Sequence, residues 1–342
     1  MWVVRAVCLD DLDQLQSLIS LATQGLTSLQ LTSDQLLDRV EQSVFAFSRT
    51  GLSPRGEPFV LVMCNDATGE IVGTSTVYAK TGGYQPFYSY RVVTSQHHSE
   101  QLGVSHTRTR LELERTHDGP TEIGSLFLRK KHRGAGRGRW LSLARFALIA
   151  SRPHRFADRV IAEMRGKADL DGGVPFWKAV TGRFIPVNFS VADSMSTVCK
   201  QFIEELMPQY PIYVDLLPEE VRAGIGCVHD ETKPALALLE GEGFIQTDQV
   251  DIFDAGPVVS CPKMQIGAVQ RCQQATVVEV RDQAPNNSQE PLILVSDRDG
   301  FTSVMTEIER DGNEIKIGSE VARTLSIESG SSCKLLTVRS GS

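Results

Sequence analysis

Hydrophobic positions along this chain change their spacing repeatedly, and each change marks an element. Trp2 to Val7 is a short apolar run of strand type. Asp10 and Asp11 then cap a helix extending to about Ala22, with Leu12, Leu15, Leu18 and Ile19 on one face. A second helix fits Ser33 to Phe47, with Leu36, Leu37, Val40 and Val44 turned inward. Phe59 to Cys64 and Ile71 to Tyr78 are apolar runs joined by the polar stretch Asn65 to Glu70, a hairpin signal. Tyr88 to Val93 reads as a further strand. Ser95 to Gly119 is polar, carries four of the seven histidines and has little periodicity, so an irregular insertion is expected there.

From Glu122 the order is strand, glycine-rich turn, helix (Trp140 to Ala150) and strand (Val160 to Met164). A short helix at Pro175 to Val180 follows, with Phe176 and Trp177 packing inward, and then helical segments at Thr197 to Leu206 and Pro218 to Ile225. His229 precedes a helix from Pro234 to Glu242 that ends at Gly243 and leads to a strand at Val250 to Phe253. Pro175…Phe184 and Pro234…Phe244 are similar helix-to-strand corners, a hint of two related lobes. Beyond Pro262 the pattern becomes a series of short β runs: Val277–Val280, Leu292–Val295, Val304–Ile308, Ile315–Ile317 and Leu335–Val338. Polar turns such as Ala284 to Ser288 separate them. Residues 1–262 are therefore expected to form one α+β domain, and 263–342 a small, mainly β appendage without a catalytic pattern.

Composition narrows the class of molecule. The 342 residues are 41% hydrophobic and 23% charged, ordinary for a globular protein. A formal charge of −7 argues against a nucleic-acid-binding face. No apolar run approaches a membrane span, and the N-terminus shows no targeting segment, so a cytoplasmic enzyme away from membranes is expected. The seven cysteines include no C-x-x-C pair, which leaves reduced thiols as the expectation. His97, His98 and His106 lack a companion carboxylate or thiol at ligand spacing, so no metal site is expected.

Against this acidic background, Arg133-Gly134-Ala135-Gly136-Arg137-Gly138 stands out, with Lys130, Lys131 and Arg139 beside it. Glycines let the backbone turn tightly and approach a ligand closely. The helix that follows supplies unpaired amides and a partial positive charge, a ready cradle for phosphate. The third glycine falls one place early for a dinucleotide fingerprint, and no Gly-Lys-Ser/Thr of a P-loop occurs. The spacing Arg133-x-x-Gly136-x-Gly138 looks like the pyrophosphate loop of GNAT-type acyltransferases, which bind an acyl-coenzyme A.

A more specific likeness runs along the chain. Gly25-Leu26-Thr27-Ser28-Leu29, Tyr88-Ser89-Tyr90-Arg91-Val92, Ser125-Leu126-Phe127-Leu128 and Ala162-Glu163-Met164-Arg165-Gly166 resemble the arginine N-succinyltransferases. So do Pro175-Phe176-Trp177, Glu205-Leu206-Met207-Pro208, Val228-His229 and Asp251 to Pro257. The blocks occur in order over residues 1 to about 262. The resemblance implies a GNAT-like mixed sheet flanked by helices, succinyl-coenzyme A as co-substrate with no tightly bound cofactor, and L-arginine as acceptor. It also implies that Leu126 contacts the coenzyme, that His229 is the proton donor, and that the chain forms a homo-oligomer or joins a related subunit. In GNAT-like folds the strand before the glycine turn splays open, so Leu126, Phe127 and Leu128 would meet the pantetheine arm through backbone atoms.

A thioester is already activated, so the remaining tasks are orienting the amine, polarising the carbonyl and meeting charge on the leaving thiolate. Imidazole at His229 suits the last task and can also relay the proton lost by the amine. Cys227, two residues earlier, suggests a Cys/His nucleophile pair, but no supporting Asn or Asp pattern is visible. The carboxylates of donor and acceptor call for Arg91 or Arg165, and the acceptor guanidinium for a carboxylate such as Glu163. Another acyl donor such as acetyl-coenzyme A, ornithine as acceptor, and a non-catalytic coenzyme A-binding partner subunit are the competing readings.

Overall fold

The computed structural model describes residues 1–22, 29–51, 53–169, 171–282, 291–298 and 300–338. Gly25 to Ser28 and the turn at Ala284 to Ser288, both singled out above, lie outside them. The chain opens with β1 (Trp2–Ala6), α1 (Leu12–Ile19), α2 (Ser33–Ser48), β2 (Pro58–Asn65) and β3 (Ile71–Tyr78). Next come β4 (Phe87–Ser99), β5 (Val104–Thr116), β6 (Thr121–Leu128), α3 (Arg137–Ser151) and β7 (Arg159–Glu163). The middle of the chain holds α4 (Pro175–Ala179), α5 (Phe189–Ser196), α6 (Gln201–Leu206), β8 (Ile212–Tyr213), α7 (Glu219–Gly224) and α8 (Lys233–Glu240). It continues through β9 (Ile245–Val250), β10 (Pro257–Pro262), α9 (Gly267–Arg271), β11 (Gln273–Arg281), β12 (Leu292–Ser296) and β13 (Thr302–Thr306). The last elements are β14 (Glu309–Asp311), β15 (Glu314–Gly318), α10 (Ser319–Thr324) and β16 (Ser332–Thr337). The α+β class with a mixed sheet and flanking helices is as the sequence leads one to expect.

Two compact units divide the chain: Met1–Ala79 with Ile123–Asp158 and Pro262–Ser342, and Lys80–Glu122 with Arg159–Cys261. In the first, the sheet order is β14-β15-β11-β16-β12-β13-β1-β2-β3, followed by the part of β6 beyond Glu122. β1 is flanked on both sides, Val4 opposing Ser303 of β13 and Met63 of β2. One core cluster holds Val3, Leu18, Val40 and Val62 together with Val277, Leu294, Val304 and Ile315. The strands after Pro262 therefore build the same core as the N-terminal elements.

Helix α3 buries every residue from Trp140 to Ile149. A helix apolar around its whole circumference has no solvent side, and such helices sit inside their domain. Trp140 Nε1 donates to Ser303 Oγ at 3.2 Å, and that hydroxyl donates to the Val4 carbonyl at 3.3 Å, tying α3 to β13 and β1. Arg145 is buried with them, and desolvation pulls its guanidinium down to about 10.

In the second unit the order is β7-β10-β9-β4-β5-β8, over a core that includes Tyr90, Leu111, Phe176, Trp177, Ile203 and Phe253. The region expected to be an irregular insertion is instead a long regular hairpin. β4 and β5 stay in register from Phe87–Thr116 to Ser99–Val104. β9 pairs with β4 only at Tyr90 and Arg91, and β8 with β5 only at Arg110 and Leu111. Most of the outer part of the ribbon is exposed, so its sequence carries no alternation of apolar and polar positions.

Three local expectations are also corrected. Leu37 and Val44 of α2 are 38% and 37% exposed, while Ser43 and Ala46 take the inward positions. The segment expected as one helix over Thr197–Leu206 is helical only from Gln201, and the unexpected α5 precedes it. The strand expected at Val250–Phe253 ends at Val250. There the Asp251 carboxylate accepts the amides of Phe253 (2.7 Å) and Asp254 (2.8 Å), and this side-chain turn outcompetes the sheet.

Candidate functional site

The glycine turn lies in the first unit, between β6 and α3. After β6 a single 3-10 turn over Lys130–His132 leads to Gly134, Ala135 and Gly136 at φ 117°, 47° and 72°. Gly136 is the N-cap of α3 in the left-handed region, a conformation that costs any residue with a Cβ roughly 1–2 kcal/mol. A Cβ at Gly134 would meet nothing within 4 Å, and one at Gly136 would touch only Met305, at 3.8 Å. Open space therefore faces the main chain at both glycines. The Arg137 amide turns back to the Gly134 carbonyl at 3.1 Å, and Trp140 N–H makes the first regular helical bond, to Gly136 O at 2.8 Å. The amides of Gly138 and Arg139 are left as first-turn donors, where the positive end of a fifteen-residue helix dipole adds to their pull.

Basic side chains shape this turn from within. Arg133 Nε donates to Leu128 O at 3.3 Å, and Arg137 donates to His132 O at 3.1 Å while lying over the Trp2 ring at 5.1 Å. Glu70 takes up Arg129 (3.2 Å) and Lys131 (3.3 Å). Burial and the neighbouring Lys131 hold the His132 imidazole below its usual range. Just upstream, Leu126 is half-buried and Phe127 and Leu128 are buried. Ser125, immediately before them, has a φ of 52°. A serine in the left-handed region breaks the strand geometry, and the parallel β6–β7 register covers only Thr121–Val160 and Glu122–Ile161. All eight residues expected to touch the coenzyme thus belong to one strand–turn–helix element.

The remaining expected residues lie in the second unit. His229 caps a 3-10 turn, Asp230–Thr232, that runs into α8. Its main-chain amide donates to Arg165 O at 2.8 Å, and its ring Nδ1 accepts the Glu231 amide at 3.2 Å. Arg165, one residue beyond the buried Met164, reaches Glu231 at 3.6 Å. Partial burial, the Arg165 cation and Lys167 push the His229 imidazole below its ordinary value, outweighing Glu231 and Asp230. Arg165 and His229 are thus brought together. Among the described residues no hydrogen bond or ion pair joins Arg91 to them. It is held across the hairpin by Glu112 (2.8 Å) and Glu114 (3.1 Å).

A model of the arginine N-succinyltransferase beta subunit family matches residues 2–268. The chain belongs to the arginine N-succinyltransferase family. It is 39% identical over 298 residues to the arginine N-succinyltransferase of Salmonella paratyphi B, covering 86% of this chain and 85% of that protein. The corresponding enzyme of Escherichia coli O6:H1 is 38% identical over the same span. Among solved structures, the arginine/ornithine succinyltransferase subunit AI of Pseudomonas aeruginosa superposes with a TM-score of 0.89 at 28% identity, covering 99% of each chain. This family member is accordingly an acyltransferase.

Two carboxylates of the second unit stand out: Glu163, expected from the sequence to meet an acceptor guanidinium, and Asp254, for which no role was expected. Glu163, at the end of β7, is half-buried as a residue, yet its Oε1 is enclosed and makes no hydrogen bond to a described residue. Burial, Glu122 and Asp251 raise its carboxyl well above the usual range. Asp254 accepts the amides of Gly256 (2.7 Å) and Gly166 (2.8 Å), and burial and Asp251 raise its carboxyl too. Gly166 in turn bridges to Val228, the residue before His229. Asp254 therefore staples the Arg165–Gly166 segment, to which the His229 main chain is hydrogen-bonded. The Asp251-x-x-Asp254 spacing was the available signal, hidden because the apolar pair between the acids reads as strand. Cys227 donates its thiol to Ala223 O at 3.2 Å, a local helix-end contact. Among the described residues no group of histidines, cysteines and carboxylates is arranged to hold a metal ion.

Proposed function

We propose that this acyltransferase transfers succinyl from succinyl-coenzyme A to the α-amine of L-arginine. The glycine turn at the start of α3 carries the reading: open space, left-handed glycines and first-turn amides match the needs of a diphosphate. Family membership and the relatives' names supply donor and acceptor. In this reading Arg133, Gly134, Gly136, Arg137 and Gly138 bind the diphosphate, and Leu126, Phe127 and Leu128 offer main-chain groups to the pantetheine and thioester. A backbone N–H aimed at the thioester oxygen stabilises the charge that grows there as the amine attacks. His229 supplies the N–H that meets charge on the leaving sulfur.

Glu163 is the candidate for the cationic end of the acceptor, since a positive group beside its enclosed oxygen would offset the burial that now disfavours its charge. Arg165 is the better of the two candidates for a substrate carboxylate, because Arg91 is already neutralised by two glutamates. In this reading the described strands after Pro262 support the sheet and supply no reacting group. The reading places the enzyme in the cytoplasm, without a tightly held cofactor. Free-thiol release measured with succinyl- or acetyl-coenzyme A against arginine or ornithine tests it. Turnover is expected to be highest with succinyl-coenzyme A and arginine, and its absence with that pair rejects the assignment.

A second reading, a coenzyme A-binding partner of a catalytic sister chain, is favoured by one observation: the Pseudomonas aeruginosa relative is described as a subunit. Turnover by this chain alone separates the two. Sedimentation of that same preparation distinguishes a homo-oligomer from a chain awaiting a related subunit.

A further inference from the structure

The proton arrangement on His229 can be read from its surroundings. The Glu231 main-chain N–H points at Nδ1 from 3.2 Å, and an amide nitrogen can only donate. Nδ1 must therefore carry a lone pair, and the neutral ring must hold its proton on Nε2. Turning the ring over would set a carbon against the amide and leave that donor without an acceptor. The capping role is backed on both sides of the ring's residue. Thr232 donates to His229 O through its amide (3.0 Å) and its hydroxyl (2.9 Å), and His229 N–H is held by Arg165 O. Nε2 itself makes no hydrogen bond to a described residue.

We propose that His229 acts as a neutral hydrogen-bond donor through Nε2, with its tautomer fixed by the Glu231 amide, rather than as an imidazolium acid or a base. This inference rests on the acyltransferase reading and assigns the working atom within it. An imidazolium would need a proton on Nδ1, in collision with the Glu231 N–H. Partial burial, Arg165 and Lys167 oppose a further positive charge on the ring while Glu231 and Asp230 favour one, and the balance lies against protonation. The neutral ring has no lone pair at Nε2, so relay of the amine proton through that nitrogen is ruled out.

The chemistry then balances without a proton leaving the ring. The acceptor nitrogen bonds to the thioester carbon, and the C=O pair moves onto oxygen. The C=O bond re-forms as the C–S bond breaks. The electron pair stays on sulfur as a thiolate hydrogen-bonded to Nε2–H, and the proton shed by nitrogen reaches sulfur through water. A neutral imidazole used as a donor in this way suits a leaving group near pKa 8.5, which needs charge relief more than a strong acid.

Long-range 1H–15N correlation spectra of the full chain, labelled at histidine, test the tautomer directly at pH 7.5. Protonated Nε2 with unprotonated Nδ1 is expected for His229. A proton on Nδ1, or a doubly protonated ring, overturns the proposal. Kinetics give a second arm: His229→Gln keeps a donor near Nε2 but cannot transfer a proton at neutral pH. His229→Gln is expected to stay about tenfold or more above His229→Ala in kcat, the scale of one well-placed donor. Equal loss in both variants overturns the donor role. Full activity in His229→Ala would sink the catalytic assignment made above, and the spectra would still decide the tautomer.

Discussion

Gly136 is the residue on which the proposed coenzyme site turns. Gly136→Asp adds a Cβ at φ 72° and places a carboxylate among the first-turn amides that the proposal assigns to the diphosphate. We expect calorimetric titration with coenzyme A to show a loss of at least about tenfold in affinity, ~1.4 kcal/mol, with the fold intact by circular dichroism. The turn was legible in the sequence because everything it needs is local: a strand end, glycines at fixed offsets and a helix start. The carboxyl staple was not. Asp254 works by accepting amides from Gly166 and Gly256, and the first of these partners lies 88 residues away. No spacing rule connects such partners. His229 was legible only through the family likeness, since a lone histidine before a helix is equally well a cap, and it is one here.

At the level of elements, the mismatches have a common cause. Periodicity reports burial, and it fails where an element buries little. The outer β4–β5 ribbon is mostly exposed, and α5 buries only Ala192 and Asp193. By contrast α4, whose Phe176 and Trp177 are buried, was plain from the sequence. The strands after Pro262 were also visible, but what they do was not. β13 pairs with β1, and their side chains share a core with α1 and α2. A chain ending at residue 262 would uncover one edge of β1 and the apolar face it helps to close. Such a truncation is expected to be recovered in inclusion bodies rather than as soluble protein, which fractionation of expressing cells would show. Asp254→Ala removes one acceptor from two amides. It should lower thermal stability by roughly 1–3 kcal/mol, read from denaturant melts, because two buried donors lose their partner.

For the whole molecule, pH is the revealing variable. Glu163, Asp251 and Asp254 all titrate above their ordinary ranges, chiefly because burial disfavours the charged form. The native chain thus holds these protons more tightly than the unfolded chain does. Their stabilising contribution is complete below about pH 4 and is lost as pH rises through the elevated values. Asp230, pulled down to about 2 by Lys233 and Lys167, works in the opposite sense and only at the acid end. Calorimetric melting temperatures should accordingly fall as pH rises above the ordinary carboxylate range, and Glu163→Gln should flatten that slope. Charge has a second global consequence. If the proposed site is right, a protein of net −7 draws a polyphosphate to a small cationic turn, so coenzyme affinity should weaken by severalfold between about 50 and 500 mM salt. An affinity indifferent to salt would mean that the turn's cations do not contribute.

The tight crossing at Gly166 and Gly256 sets a limit on how this sequence can vary. A methyl group at position 166 would lie 2.2 Å from the Asp254 carbonyl oxygen, and one at position 256 only 1.9 Å from that of Met164. Both obstacles are main chain and cannot swing aside. A library sampling every amino acid at these two positions, selected for growth on the enzyme's activity, should return glycine alone, however permissive the selection.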